Sequence, residues 1–275
     1  MPASPLDPGR LFSLQRRVAL VTGGSLGIGS MIAEGLVAAG ARVLLAARDA
    51  DDLATTAARL SALDGAQPCE GIVADLSTAD GCQSLAAAVA ERTDSLDIVV
   101  HSAGATALES LDAPDPASWD QTLQLNVTSV HLLTSALLPL LEVRATADEP
   151  ARVVVIGSTS GMQASGMPDF AYGASKAAVH QLVRYLAGAL AERHVLVNAI
   201  APGLFPTRLS SFLDHEAIRE PVLSTIPLHR PGRPEEVAGA ALYLVSRAGG
   251  YTTGEVLVVD GGRHAIGRAD PIAGL

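Results

Sequence analysis

A chain of 275 residues with a net charge of −10 suits one large domain better than two small ones, and its acidic balance argues against nucleic acid as a partner. Aliphatic content is high and aromatic content only 3%, as expected of buried parallel strands under alanine-rich helices. The first residues lack the basic start and apolar core of a signal peptide, no uninterrupted apolar run reaches membrane-spanning length, and two cysteines, Cys69 and Cys82, read as ordinary thiols of a reducing cytosol.

Residues 1–15 read as an extension containing proline and glycine. The first strand, near 17–22, runs into Gly23-Gly24-Ser25-Leu26-Gly27-Ile28-Gly29 and out into a helix near 28–39, a strand–turn–helix pattern. Glycines at such a turn let the backbone approach a ligand, and the helix N-terminus offers free N–H groups to a pyrophosphate. A second strand near 41–47 ends in Ala47-Arg48-Asp49, before a helix near 50–63. A third, near 69–74, ends at Asp75-Leu76, before a helix near 78–92. A fourth, near 97–101, leads to Ser102-Ala103-Gly104, and the long helix expected near 117–142 carries Asn126. A fifth, near 151–157, ends at Ser158-Thr159-Ser160.

The helix expected near 169–192 holds Tyr172 and Lys176, four residues apart and therefore on one face. An ammonium beside a phenol favours the phenolate and lowers its pKa, which makes a tyrosine usable as an acid or base. The sixth strand, near 195–201, opens into Pro202-Gly203 with Thr207 beyond, followed by helices near 207–225 and 234–246 and a seventh strand near 255–260. Residues 265–275 read as a tail, which leaves 16–264 as the folded unit. This alternation predicts an α/β fold, a single doubly wound domain of Rossmann type with a seven-stranded parallel sheet. Gly23, Arg48, Asp75, Ser102, Ser158 and Pro202 all follow strands, so they converge on one sheet edge, where such folds bind ligands.

Thr-Gly-x-x-x-Gly-x-Gly at 22–29 with Tyr-x-x-x-Lys at 172–176 resembles the classical short-chain dehydrogenase/reductase family. Asp75, the Ser102-Ala103-Gly104 turn, Asn126, Ser158, the Asn198-to-Gly203 loop and Asp260-Gly261-Gly262 continue the likeness in order, with serine where the family has asparagine at 102. The resemblance implies hydride transfer between a nicotinamide and a carbonyl or alcohol. It casts Tyr172 as acid/base and Lys176 as the group that lowers the Tyr172 pKa and holds the nicotinamide ribose. Ser158 would hold the substrate oxygen, and Asn126 a water on a proton relay. Ser158 lies fourteen positions before Tyr172 and Thr159 thirteen, the commoner family spacing; Gly157-Ser158-x-x-Gly161 favours Ser158 and a loop, 162–169, longer by one.

Cofactor choice rests on Ala47-Arg48, the pattern of NADP(H)-dependent members, where an acidic residue would select NAD(H). Asp49 competes for that role but suits a helix cap better, and Leu26 replaces a second basic residue found in many NADP-dependent relatives. Gly23, Ser25, Leu26, Gly27, Ile28, Gly29, Arg48, Asp75, Leu76, Ser102, Ala103, Gly104, Pro202, Gly203 and Thr207, with Asn126, Tyr172 and Lys176, form the expected cofactor site. Within the family the chain is most similar to β-ketoacyl reductases of the rhamnolipid-biosynthesis type, which implies NADPH-dependent reduction of a ketone or acyl thioester. An NAD-linked polyol or sugar dehydrogenase is the alternative, and a non-enzymatic dinucleotide sensor the rival class. Apolar residues of 204–228 either line an acyl pocket or pack. Seven scattered histidines show no metal-ligand spacing. The resemblance implies a homotetramer, or at least a homodimer, assembled through the helices near 117–142 and 169–192, and these carry more apolar surface than one sheet face needs; the ordinary thiols and the missing signal peptide predict a cytoplasmic protein.

Overall fold

The computed structural model describes residue 4 and residues 6–265. Seven strands build one parallel sheet: β1 (Val18–Thr22), β2 (Arg42–Ala47), β3 (Glu70–Val73), β4 (Ile98–His101), β5 (Ala151–Ile156), β6 (Val195–Pro202) and β7 (Val256–Val259). Their order is β3-β2-β1-β4-β5-β6-β7, so the strand order reverses between β1 and β4. Every pairing is parallel, as the expected alternation requires. Successive side chains of a strand point to opposite faces. Leu20 accordingly enters one core with Leu133, Leu137, Val179 and Val183, while Ala19 and Val21 enter the other with Ile32, Leu36 and Leu244.

Helices cover both faces. They are α1 (Pro8–Leu11), α2 (Gly27–Ala38), α3 (Ala50–Ser61), α4 (Ala79–Ala90), α5 (Pro116–Leu123), α6 (Ser129–Glu142), α7 (Phe170–Leu190), α8 (Glu216–Leu223) and α9 (Pro234–Val245). Side chains start several of them. Asp49 accepts the Asp52 N–H at 2.8 Å, and Thr78 accepts the Gly81 N–H at 3.0 Å. Within the segment expected as a mere extension, Pro8–Leu11 forms a helical turn and Leu14 is buried, its N–H bonded to the Ala39 carbonyl. The expected tail lies outside the described residues beyond Ala265.

Two expected helices are broken. The run near 117–142 is helical throughout but passes through a π-helical turn, Gln124–Thr128, which inserts one residue and re-aims the chain at Asn126. The run near 207–225 splits into a 3-10 segment, Arg208–Asp214, and α8, with His215 extended between them. Ser210 kinks the 3-10 segment. Its hydroxyl donates to the Phe205 carbonyl and accepts the Thr207 N–H, both at 2.7 Å, which competes with a regular helical ladder. Pro116–Glu142 is long and apolar enough to cross a membrane by length and composition, with a mean hydropathy of 1.2, but polar residues such as Asp120, Gln124 and Asn126 interrupt it and its inner face packs on the sheet and α4.

Candidate active site

A cleft of about 810 Å³ opens at the carboxyl ends of the strands, across the β1/β4 reversal. Of the expected site residues, Gly23, Ser25, Leu26, Gly27, Ile28, Arg48, Asp75, Leu76, Ser102, Ala103, Gly104, Ser158, Tyr172, Lys176, Pro202, Gly203 and Thr207 line it. Gly29 and Asn126 stand behind the wall.

At one end lies the N-terminus of α2. Leu26 in the capping position offers no side-chain acceptor, so the first N–H groups have no side-chain cap. Gly27 has φ +54°, and a Cβ there would come 3.3 Å from Thr207 Cγ2. Only a bare backbone keeps that gap open, which fits a bound pyrophosphate. Arg48 is exposed at the cleft rim. Its charge and, more strongly, the Ser77 N–H bonded at 3.0 Å hold the Asp75 carboxyl below its ordinary range. Asp49 is committed to capping α3.

Sequence reasoning missed Arg208, which bridges the cleft mouth to Asp52 of α3 at 3.3 Å. The available signal was its place directly after Thr207, and no local pattern reveals its distant partner.

At the other end stand Ser158, Tyr172 and Lys176. The N-terminus of α7 has no cap from Asp169. Instead Glu109, tethered by Trp119 Nε1 at 2.7 Å, accepts the Ala171 N–H at 3.1 Å and fixes the turn that carries Tyr172. The Ser158 hydroxyl hydrogen-bonds the Tyr172 side chain and accepts the Ser160 N–H at 3.1 Å. The Thr159 hydroxyl turns instead to the Pro202 carbonyl at 3.5 Å. Burial raises the Tyr172 pKa, the Ser158 bond opposes that rise, and the nearby Asp169 charge adds to it. The sequence had suggested a lowered phenol. Lys176 Nζ lies 5.4 Å from the ring centroid and donates to the Ile156 carbonyl at 2.8 Å. Burial lowers the Lys176 pKa to about 8.

Both amide N–H groups of Asn126 are engaged, with the Ala105 carbonyl and Ser175 Oγ, each at 2.9 Å. Its Oδ1 accepts the Ala105 N–H at 2.8 Å. A Cβ on Gly104 would stand 3.2 Å from Asn126 Oδ1 and 3.6 Å from Lys176 Nζ, so the two groups flank one small space. Sequence reasoning also missed His180, one turn beyond Lys176. Its Nε2 accepts the Ser158 N–H at 3.4 Å, and burial lowers its pKa to about 4, which keeps that nitrogen free to accept. Among the described residues no cluster of His, Cys, Asp and Glu is arranged to hold a metal ion.

Phe205, Leu223 and Ile226, apolar members of the 204–228 segment, are buried, and Phe205 belongs to the core.

Known proteins resemble the whole of this arrangement. Residues 23–264 match a family model described as enoyl-(acyl carrier protein) reductase. The chain is 49% identical over 255 residues to a rhamnolipids biosynthesis 3-oxoacyl-[acyl-carrier-protein] reductase of Pseudomonas aeruginosa, covering 92% of this chain and 98% of that protein. It is 38% identical over 260 residues to galactitol 2-dehydrogenase (L-tagatose-forming) of Cereibacter sphaeroides, covering 94% and 98%. Among solved structures, the Pseudomonas aeruginosa RhlG/NADP active-site complex superposes with a TM-score of 0.90 at 48% identity, covering 93% of this chain and 99% of that one. With the parallel seven-stranded sheet, the glycine turn and the Ser158–Tyr172–Lys176 grouping, these likenesses establish that the chain belongs to the short-chain dehydrogenase/reductase family.

Proposed function

We propose that this chain is an NADPH-dependent reductase that converts a ketone, a β-ketoacyl thioester above all, into a secondary alcohol. The observation that carries this reading is the gathering of a hydroxyl, a phenol and an ammonium at one end of a cleft whose other end holds an open helix N-terminus and Arg48. The relative named as a 3-oxoacyl reductase and the neighbour solved with NADP support the same chemistry and cofactor.

NADPH seated in the cleft supplies the hydride. The α2 N-terminus takes its pyrophosphate, and Arg48 takes its 2′-phosphate. Ser158 donates its hydroxyl to the substrate carbonyl oxygen and orients it beside the phenol. Tyr172, kept protonated by burial, gives its proton to that oxygen as negative charge develops. A raised phenol pKa thus suits reduction, in which the tyrosine starts as the acid. Lys176 holds the ribose and stabilises the phenolate left behind. A water in the space between Asn126 Oδ1 and Lys176 Nζ returns the proton; since both Asn126 N–H groups are engaged, Asn126 contributes oxygen acceptors only.

In this reading the Rossmann domain is residues 16–264, preceded by a segment whose Leu14 packs onto it, and the enzyme is a cytoplasmic homotetramer. Exposed Tyr185 on α7 and partly exposed Leu132 and Leu138 on α6 are left for symmetry mates to cover.

Steady-state oxidation of NADPH and of NADH, each with ketones, β-ketoacyl thioesters and keto sugars, tests the proposal. Thioester turnover with an NADPH preference is expected. A preference for NADH with keto sugars, or reduction of NAD+ by polyols, would replace this reading with the dehydrogenase one, and binding of NADPH without turnover of any substrate would favour a sensor.

A further inference from the structure

The other edge of the sheet carries a second cavity, of about 650 Å³. Four separate segments enclose it: residues 9–17, the stretch 144–149 after α6, the start of β5, and the end of α9 with Arg247. Six of the chain's 19 basic residues line it, namely Arg10, Arg16, Arg17, Arg144, Arg152 and Arg247, in a protein whose net charge is −10. Two carboxylates pair with Arg17, Arg144 and Arg247. Asp97 takes Arg17 at 2.9 Å and Arg144 at 3.6 Å, and also accepts the Val18 N–H at 2.8 Å. Glu149 pairs with Arg17 and, at 3.0 Å, with Arg247. Leaving Arg10 aside, five guanidinium groups against these two carboxylates leave the cavity cationic.

Arg152 is the informative member. It is 5% exposed, and its two terminal nitrogens donate to the Pro150 and Ser246 carbonyls at 2.8 and 3.3 Å. Its Nε is the one buried side-chain nitrogen or oxygen among the described residues with no hydrogen-bond partner. A buried donor is ordinarily satisfied. Burial and the like charge of Arg17 also pull the Arg152 pKa down to about 10, the direction expected where cations outnumber anions. Guanidinium groups suit phosphate oxygens because their planar fork donates two parallel hydrogen bonds.

We propose that this cavity binds a phosphate-bearing small molecule, held by Arg144, Arg247 and the Nε of Arg152. It is distinct from the cofactor cleft. Arg152 stands near the start of β5 and Ser158 just past its end, six residues and about 20 Å apart along an extended chain. A free phosphate and a phosphate ester share the chemistry, and the test separates them.

Isothermal titration at constant ionic strength compares inorganic phosphate, pyrophosphate and a nucleoside monophosphate with a chloride control. The proteins are the wild type and the Arg144→Ala/Arg247→Ala variant, each saturated with NADPH so that the cofactor cleft is closed to the probes. Both replaced side chains are more than two-fifths exposed, so the fold should survive, as circular dichroism without anion verifies. Saturable binding to the wild type, weakened at least ten-fold in the variant, is expected. Tighter binding of the monophosphate than of inorganic phosphate would identify an ester as the ligand class, and the reverse order a free phosphate. No saturable binding, or equal binding to both proteins, overturns the proposal. Arg152→Gln supplies a second check: if it binds the probes as the wild type does, the unpartnered Nε is not part of a site.

Discussion

Gly157→Ala would drive a methyl group into the contact that places Ser158. An ideal Cβ at Gly157 falls 2.1 Å from His180 Nε2, 2.7 Å from its Cδ2 and 3.2 Å from the Ile200 carbonyl oxygen. Ordinary contacts need about 3.5 Å, so the ring must withdraw by more than about 1 Å within a packed interior, where it is only 4% exposed. Overpacking of this kind costs about 1–3 kcal/mol. The withdrawal also breaks the bond from the Ser158 N–H to Nε2, which orphans a buried donor at about 1–3 kcal/mol more. A loss of about 2–6 kcal/mol is therefore expected, read as the shift in urea unfolding midpoint. Turnover should fall as well, because displacing a group that orients the reacting oxygen by about 1 Å can cost up to about 100-fold. The companion variant Gly157→Ala/His180→Ala removes the clash but not the orphaned N–H. It should therefore regain part of the stability, with a coupling of about 0.5–3 kcal/mol between the two sites. If Gly157→Ala lies within about 0.5 kcal/mol of wild type, or the two changes are additive, the contact between His180 and the Ser158 loop does not have the weight given to it here.

Tyr172→Phe should keep NADPH binding and lose about 100-fold or more in kcat; near-wild-type turnover would remove Tyr172 as the acid. Ser158→Ala should damage kcat/KM more than Thr159→Ala, whose hydroxyl faces the Pro202 carbonyl, and the reverse ranking would shift the role to Thr159. Arg48→Ala should weaken NADPH by about 1–3 kcal/mol in fluorescence titration while sparing NADH, and equal losses for both would refute the phosphate contact. For pH, burial lowers both His101 and His180 from 6.5 to about 4. The unfolded chain then binds more protons between those values, so stability falls as pH drops from 6.5 through about 4, by up to about 3 kcal/mol per histidine. Urea midpoints measured across that window should show the slope, roughly halved in His101→Gln, and an unchanged slope in the variant would mean that His101 is not held neutral. Light scattering at micromolar concentration should give the mass of a tetramer; a monomer mass would mean that the exposed residues of α6 and α7, Tyr185 among them, stay in solvent.

Much of this arrangement is legible in the sequence because strand ends are. Arg48, Ser102 and Ser158 reach one cleft since each directly follows, or nearly follows, a buried Val/Leu/Ile run, and parallel strands present those ends together. What stayed hidden depends on contacts between distant positions. The Glu109 carboxylate caps α7 from 62 residues away, and Arg208 meets Asp52 across 156. The π-turn at Asn126 escaped for another reason: the apolar period resumes on both sides of it, so one inserted residue leaves no trace in the pattern. Tyr172 illustrates a third limit. A neighbouring lysine is visible in sequence, whereas the burial that raises the phenol is a property of the folded cleft.

We propose Ser158 over Thr159 on the ground of register and not of counting. Residues counted back from Tyr172 point to Thr159, because that count runs through a loop whose length is free to vary. The sheet is not free in this way: Val155 pairs with His101 and Ala199, Ile156 pairs with Ile200, and the Gly157 N–H still bonds the Ile200 carbonyl at 2.7 Å. Ser158 is therefore delivered by β5 and not by the loop. On the facing helix Tyr172, Lys176 and His180 recur at every fourth position and form one stripe. The phenol meets the Ser158 hydroxyl, the ammonium meets the Ile156 carbonyl, and the imidazole meets the Ser158 N–H. One helix face thus grips one strand end at three points, and an extra residue in 162–169 can loop outward without altering any of them.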